Sequence, residues 1–126
     1  MPYKNIMLID DDIEDQEIFL EAIEQAGVSV NCTALENAKE ALHKLLGKDL
    51  AVDLIFLDLN MPIMSGSQFL AEIKKLDSLK DIPVIILSTS SDSNTIQQTK
   101  QLGATKFITK PETFDELVFV LKSVLN

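Results

Sequence analysis

The chain has 126 residues, of which 46% are hydrophobic and 25% charged. This length predicts one compact domain over residues 1–126, and the composition excludes a disordered or fibrous chain. A net charge of −9 argues against binding to nucleic acid, which calls for a basic surface. No apolar run approaches the ~18 residues of a membrane-spanning helix. Because no signal peptide is visible either, we expect a cytoplasmic protein.

Five short apolar segments along the chain predict β-strands. Runs of four apolar residues at 6–9, 54–57 and 84–87 are typical of strands buried on both faces of a parallel sheet. The segments 30–34 and 107–109 are less continuously apolar or shorter, and they predict strands nearer the sheet edges. The sequence therefore predicts three central strands flanked by two outer ones.

Residues with helical periodicity follow each predicted strand. The first helix is predicted to begin after Asp12, a suitable N-terminal cap, and to end at Gly27. Glu14, Asp15 and Glu17 lie in its first turns, where the positive end of the helix dipole favours acidic residues. Further apolar stripes predict helices around 38–46, 69–76, 95–102 and 114–125. Five strand–helix repeats indicate an α/β fold with a parallel sheet and helices on both faces.

Polar residues stand directly after four of the predicted strands. They are Asp10 and Asp11 after the first, Asp58 after the third, Ser88 after the fourth and Lys110 after the fifth. Ligands of such sheets bind beyond the carboxyl ends of the strands. Three carboxylates gathered there repel one another by roughly 4 kcal/mol per pair at ~4 Å and an effective dielectric near 20. They therefore favour a divalent cation, and an all-oxygen ligand set selects Mg²⁺.

The remaining polar groups suit a phosphoryl ligand. Lys110 supplies a positive charge and Ser88 a hydroxyl donor, which together with a metal ion neutralise phosphoryl oxygens. A carboxylate placed there can act as a nucleophile and form an acyl phosphate. Asp58, at the end of the central strand, is the candidate. The scattered glycines form no nucleotide-binding loop, so no organic cofactor is expected.

Four segments carry a resemblance to a known family. They are Met7 to Asp11, Leu57 to Pro62 followed by Ser65 and Gly66, Pro83 to Ser88, and Thr109 to Pro111. Together they closely resemble the receiver domains of bacterial two-component response regulators, over residues 4–125. The resemblance implies the flavodoxin-like receiver fold, with a five-stranded parallel sheet of order 2-1-3-4-5.

The resemblance also implies a phosphorylation site. Asp58 would accept a phosphoryl group from a sensor histidine kinase or from a histidine phosphotransfer protein. Asp11, Asp58 and the backbone carbonyl of Asn60 would bind Mg²⁺ directly, with Mn²⁺ as a substitute, and Asp10 would help through water.

The resemblance further implies a switch between two states. Ser88 and Lys110 would hold the phosphoryl group, Ser88 would move toward it, and Phe107 would turn inward. The face formed by the fourth helix, fifth strand and fifth helix would then change. A cis bond before Pro111 is also expected, because cis costs only ~1 kcal/mol before proline.

We therefore expect a stand-alone receiver without an output domain, which signals through protein contacts as a monomer or a phosphorylation-dependent dimer and turns over no external substrate. One alternative is a phosphatase of the haloacid dehalogenase kind, because two aspartates separated by one residue, Asp10 and Asp12, follow the first strand. Glu14, however, stands where that motif usually has Thr or Val. Another is an unphosphorylated pseudo-receiver, which would require an incomplete acidic pocket.

Overall fold

The computed structural model describes residues 3–47, 51–61, 64–89 and 91–125. Five strands alternate with five helices, as predicted. In chain order they are β1 (Asn5–Ile9), α1 (Ile13–Ala26), β2 (Asn31–Leu35), α2 (Ala38–Leu46), β3 (Leu54–Asp58), α3 (Gly66–Lys74), β4 (Val84–Ser88), α4 (Ser93–Leu102), β5 (Lys106–Thr109) and α5 (Phe114–Leu125).

The strands form one parallel sheet of order β2-β1-β3-β4-β5. This confirms the predicted order. The chain leaves β1 toward β2 and returns on the other side to form β3, so the strand order reverses between β1 and β3. A crevice beyond the carboxyl ends of these two strands is where such sheets place a ligand.

Two strand ends differ from the prediction. Asp58 and Ser88 are the last residues of β3 and β4 rather than the first residues beyond them. The parallel pairing reaches this far because Asp58 is in register with Leu87, and Ser88 with Thr109. Both side chains are therefore held by regular backbone rather than by a loop.

The core lies on both faces of the sheet. One cluster joins the strands to α2 and α3, and a second joins them to α1 and α5. Strands β1, β3 and β4 are apolar at successive positions because their side chains point alternately to the two faces of the sheet, and both faces are covered. On the α1 side, Phe19 packs edge-on against Phe56, with ring centroids 5.1 Å apart. The crevice is thus formed at the end of strands that are packed on both faces.

Helix α1 begins and ends as the sequence predicts. The Asp12 side chain accepts hydrogen bonds from the backbone N–H groups of Glu14 and Asp15, which caps the helix. Gly27 ends it in the left-handed conformation, with φ of 70°. The first turn of α1 is therefore well anchored immediately after β1.

Candidate functional site

Three acidic side chains gather at the carboxyl ends of β1 and β3. Asp10 and Asp58 are buried, at 4% and 7% exposure, while Asp11 is exposed. Each offers a carboxylate oxygen, and the three oxygens lie within 4.8 Å of one another. The structure therefore brings together the three residues that the sequence proposed as metal ligands.

The backbone and one helix side chain fix Asp10. Its N–H donates to the carbonyl of Leu35 at 3.1 Å, and its own carbonyl accepts from Gln16 Nε2 at 2.7 Å. Its Oδ1 accepts from the N–H of Asp12 at 3.0 Å. Its other oxygen, Oδ2, lies 3.2 Å from the Lys110 ammonium.

Asp58 is held from the side of the β3–α3 connection. Its Oδ1 accepts from the Asn60 N–H at 3.3 Å. Gly66, the first residue of α3, donates its N–H to the carbonyl of Leu59 at 3.1 Å. A Cβ atom on Gly66 would collide with the Asp58 carbonyl oxygen and lie 2.7 Å from Leu59 Cα. The start of α3 thus packs directly on the backbone of Asp58, whereas Pro62 of the quoted motif lies outside the described residues.

Lys110 reaches the pocket from the end of β5. Its N–H donates to the Ser88 carbonyl at 2.9 Å, which positions the side chain. Its Nζ lies 3.2 Å from Asp10 Oδ2, 3.2 Å from Asp15 Oδ2 and 3.9 Å from Asp58 Oδ2. The lysine is therefore shared among three carboxylates.

Asp15 is the member of this site that sequence reasoning missed. We interpreted it as a partner of the helix dipole, like Glu14 and Glu17, yet its carboxylate binds Lys110. A signal was present: side chains on a helix lean toward its N-terminus. A residue three positions after the Asp12 cap can accordingly point back toward the strand ends.

Burial and neighbouring charge set the protonation of these groups. Burial raises the pKa of both Asp10 and Asp58 above the usual value, and the nearby Lys110 only partly opposes this. Burial also lowers the pKa of Lys110, but Asp10 and Asp58 outweigh it, so that pKa lies above its usual value. The pocket thus holds more negative charge than one lysine comfortably balances.

This donor set fits a divalent metal ion. Asp10, Asp11 and Asp58 supply only carboxylate oxygens, which hard cations such as Mg²⁺ and Mn²⁺ prefer. The raised pKa values of the two buried acids show that their negative charge is costly without a further cation. The residues present therefore fit the ion that the resemblance implies.

Ser88 and Phe107, the two predicted switch residues, lie on the last two strands. Ser88 is fully buried at the end of β4, one residue beyond the register partner of Asp58. Phe107 pairs with Ile86 in the sheet and is partly buried against the core. It also lines a cavity of about 290 Å³ between α4 and β5, together with Ile96.

The peptide bond before Pro111 is trans, which corrects the expected cis bond. The trans form is intrinsically preferred before proline by about 0.5–1 kcal/mol. With this bond trans, the Lys110 N–H donates to the Ser88 carbonyl and the Lys110 Nζ lies 3.2 Å from Asp10 Oδ2. The cis isomer is therefore unnecessary for this geometry.

Comparison with known proteins identifies the class. The family model described as "Response regulator receiver domain" matches residues 6–122. The chain belongs to this family, and a receiver domain is a signalling module rather than an enzyme with an external substrate. Among the residues that the structure describes, no helix is long and apolar enough to cross a membrane.

Individual relatives agree with this assignment. The phosphate regulon transcriptional regulatory protein PhoB of Pseudomonas aeruginosa is 35% identical over 98% of this chain and 52% of its own length. The chain thus spans about half of that curated relative. The phosphorylated cyanobacterial phytochrome response regulator RcpA superposes with a TM-score of 0.88 at 32% identity, covering 97% of this chain and 91% of RcpA. The Mn²⁺-bound form of response regulator Rcp1 superposes with a TM-score of 0.83 at 27% identity, covering 96% and 91%.

Proposed function

We propose that this chain is a phosphorylatable receiver whose Asp58 accepts a phosphoryl group in a Mg²⁺-dependent reaction. The observation that carries the proposal is the pocket itself. A buried carboxylate at a strand end lies beside two further acids and 3.9 Å from a lysine ammonium. Family membership and the phosphorylated state of the relative RcpA support the same conclusion.

The chemistry follows from the positions of these groups. An oxygen of Asp58 attacks the phosphorus atom of a phosphohistidine, a new O–P bond forms, and the P–N bond breaks with its electron pair going to the imidazole nitrogen. Lys110 balances charge on the phosphoryl oxygens, and the Ser88 hydroxyl donates to one of them. A metal ion held by Asp10, Asp11, Asp58 and the Asn60 carbonyl would neutralise further charge there.

The signal would pass to the face built from α4, β5 and α5. Within the described residues, β5 has no fully buried side chain, and Thr99 alone is buried in α4. Elements with so few buried side chains rearrange or unfold locally at the lowest free-energy cost. We infer that Ser88 and Phe107 couple the phosphorylated pocket to this region, and that the resulting change alters contacts with a protein partner.

The partners follow from the same chemistry. The phosphoryl donor is a sensor histidine kinase or a histidine phosphotransfer protein, and the receiver acts in the cytoplasm as a monomer or as a dimer formed on phosphorylation. The described pocket holds all three acids and the lysine, which disfavours the pseudo-receiver. The phosphatase alternative would place the nucleophile at Asp10, and loss of labelling in Asp58→Ala would contradict it.

Acetyl phosphate or phosphoramidate with Mg²⁺ tests this function. We expect the intact protein to gain the mass of one phosphoryl group, and Asp58→Ala to gain none. Asp77→Asn is a matched control, because that carboxylate is 97% exposed on the surface, and it should be labelled like the wild type. Failure of the wild type to gain mass, or equal labelling of Asp58→Ala, would overturn the proposal. Labelling should also be lost when EDTA removes the metal.

A further inference from the structure

The inference concerns Asp15, a residue that the reaction above does not use. Its Oδ2 lies as close to the Lys110 ammonium, at 3.2 Å, as does that of Asp10, whereas Asp58 Oδ2 is 3.9 Å away. Only the two shorter distances are near hydrogen-bond length. In the unphosphorylated chain, the lysine therefore lies closer to Asp10 and Asp15 than to the phosphoacceptor.

Both of these acids are positioned by the beginning of α1. Gln16 holds the carbonyl of Asp10 at 2.7 Å, and the Asp12 cap accepts from the Asp15 N–H at 3.2 Å. The first turn of α1 therefore sets where the lysine rests. The backbone of Asp15 is thus fixed in a position from which its carboxylate lies 3.2 Å from Lys110.

The three acids differ in how easily they release the lysine. The side chain of Asp15 is 44% exposed, against 5% for Asp10 and 9% for Asp58. Water can replace the ammonium at an exposed carboxylate, but a buried one would lose its charge partner. Asp15 is therefore the acid that gives up Lys110 at the least cost.

Lys110 lies at the edge of a cavity rather than in close-packed core. A cavity of about 280 Å³ lies between α1 and α5, and Asp15 and Lys110 both line it, together with Phe114. The side chain of Lys110 is itself 22% exposed. The lysine is therefore not locked by packing in the position that Asp15 gives it.

We propose that Asp15 is a positioning residue that holds Lys110 on the α1 side of the pocket and competes for it with the phosphoryl group on Asp58. The proposal rests on the proposed function and deepens it. A phosphoryl group at Asp58 adds negative charge beyond the carboxylate. The ammonium then exchanges Asp15 for a phosphoryl oxygen, so the strength of the Asp15 contact limits the stability of the phosphorylated state.

Binding of beryllofluoride in saturating Mg²⁺ measures this competition, because the probe imitates a phosphoryl group on the aspartate. We expect Asp15→Asn to bind it about fivefold more tightly than the wild type, which is the size expected for a partly exposed ion pair. Glu14→Gln is the matched control: it removes the same charge from the same turn at an exposed position. Its affinity should stay within about twofold of the wild type.

The outcomes separate this inference from the function on which it rests. Absence of saturable binding by the wild type would overturn both. The positioning role alone would be overturned if the wild type binds saturably but Asp15→Asn shows no gain in affinity. It would also be overturned if Glu14→Gln shows an equal gain in affinity. An equal gain in the control would mean that net charge, rather than contact with Lys110, sets the affinity.

A second readout follows the lysine directly. In nitrogen-resolved NMR spectra of the protein without beryllofluoride, the Lys110 ammonium protons should exchange slowly with water in the wild type and in Glu14→Gln. We expect exchange to become several-fold faster in Asp15→Asn, because one of two close acceptors is lost, and to slow again in Asp15→Glu. Unchanged exchange in Asp15→Asn would contradict the contact and hence the proposal.

Discussion

Aspartates in this chain differ in the direction of their pKa shifts because their surroundings differ. Asp10 and Asp58 are buried, and their pKa values are raised. Asp53 is exposed, and its Oδ2 accepts from the N–H groups of Asn5 at 2.9 Å and Lys4 at 3.0 Å. Those hydrogen bonds lower the pKa of Asp53. Burial thus disfavours the charged form of the two pocket aspartates. Outside the pocket, the Asp53 carboxylate links the segment before β3 to the start of β1 by hydrogen bonds.

Asp53→Asn should lower the free energy of unfolding at neutral pH and make that free energy depend less on pH in the acidic range. A group whose pKa is lowered by folding contributes stability above its unfolded value, about pH 4, and loses it as the pH falls through the lower folded value. The exposed position limits the contribution to at most about 1 kcal/mol. Urea unfolding of both proteins from pH 7 to pH 2 measures it. The difference between them should shrink toward zero at the acidic end, and a constant difference would contradict this origin.

The single cysteine of the chain is partly buried. Cys32 lies on the outer strand β2, and burial raises the pKa of its thiol to about 12. The thiol is therefore uncharged at neutral pH and a poor nucleophile, since the thiolate is the reactive form. The Cys32 side chain packs against the core cluster that joins the sheet to α1 and α5.

At the scale of elements, helix starts and ends shape the site. A capping box opens α3: the Ser65 N–H donates to Gln68 Oε1 at 2.9 Å, and the Gln68 N–H donates to Ser65 Oγ at 3.2 Å. Gly66 follows at once and packs against the backbone of Asp58. The helix is thus seated on the strand end that carries the phosphoacceptor.

Gly66→Ala should destabilise the protein by about 1–3 kcal/mol, because the added methyl group would push against the fixed backbone of Asp58. It should also slow labelling by acetyl phosphate, since the strand end must shift. Gly27→Ala is the matched control. Gly27 has a φ of 70° but open space around it, so its strain costs about 1 kcal/mol and leaves labelling unchanged. Chemical denaturation and the labelling rate check both. Equal labelling rates for the two variants would contradict the contact with Asp58.

At the scale of the whole molecule, one hydrophobic cluster covers each face of the sheet, and α5 contributes buried side chains to the cluster that contains α1. Leu121 is fully buried in the cluster that contains α1, whereas Phe119, two residues earlier on the same helix, is 70% exposed. The helix therefore docks by one face only. Its opposite face belongs to the surface that we propose to change on phosphorylation.

Leu121→Ala should lower the free energy of unfolding by about 2–5 kcal/mol, through lost burial and the cavity left behind. Phe119→Ala, on the exposed side, should change it by no more than about 0.5 kcal/mol. Urea denaturation followed by circular dichroism compares the two with the wild type. A similar cost for both would mean that α5 is docked by a different face.

Much of this architecture was predictable from local pattern. Continuous apolar runs marked β1, β3 and β4, because a strand covered on both faces must be apolar at every position. Helical periodicity marked the segments between them. The polar residues at the strand ends, read with the resemblance, indicated the acidic pocket, because parallel strands bring their carboxyl ends to one edge.

The sequence by itself determined the fold class, because apolar runs and helical periodicity are short-range patterns, and it indicated the three acids because parallel strands end at one edge of the sheet. Only the tertiary structure decided which acids hold the lysine. Lys110 and Asp15 are 95 positions apart, and nothing in local periodicity states that the first turn of α1 faces the end of β5. Contacts between distant side chains depend on distances and directions that exist only once the strands and helices have packed.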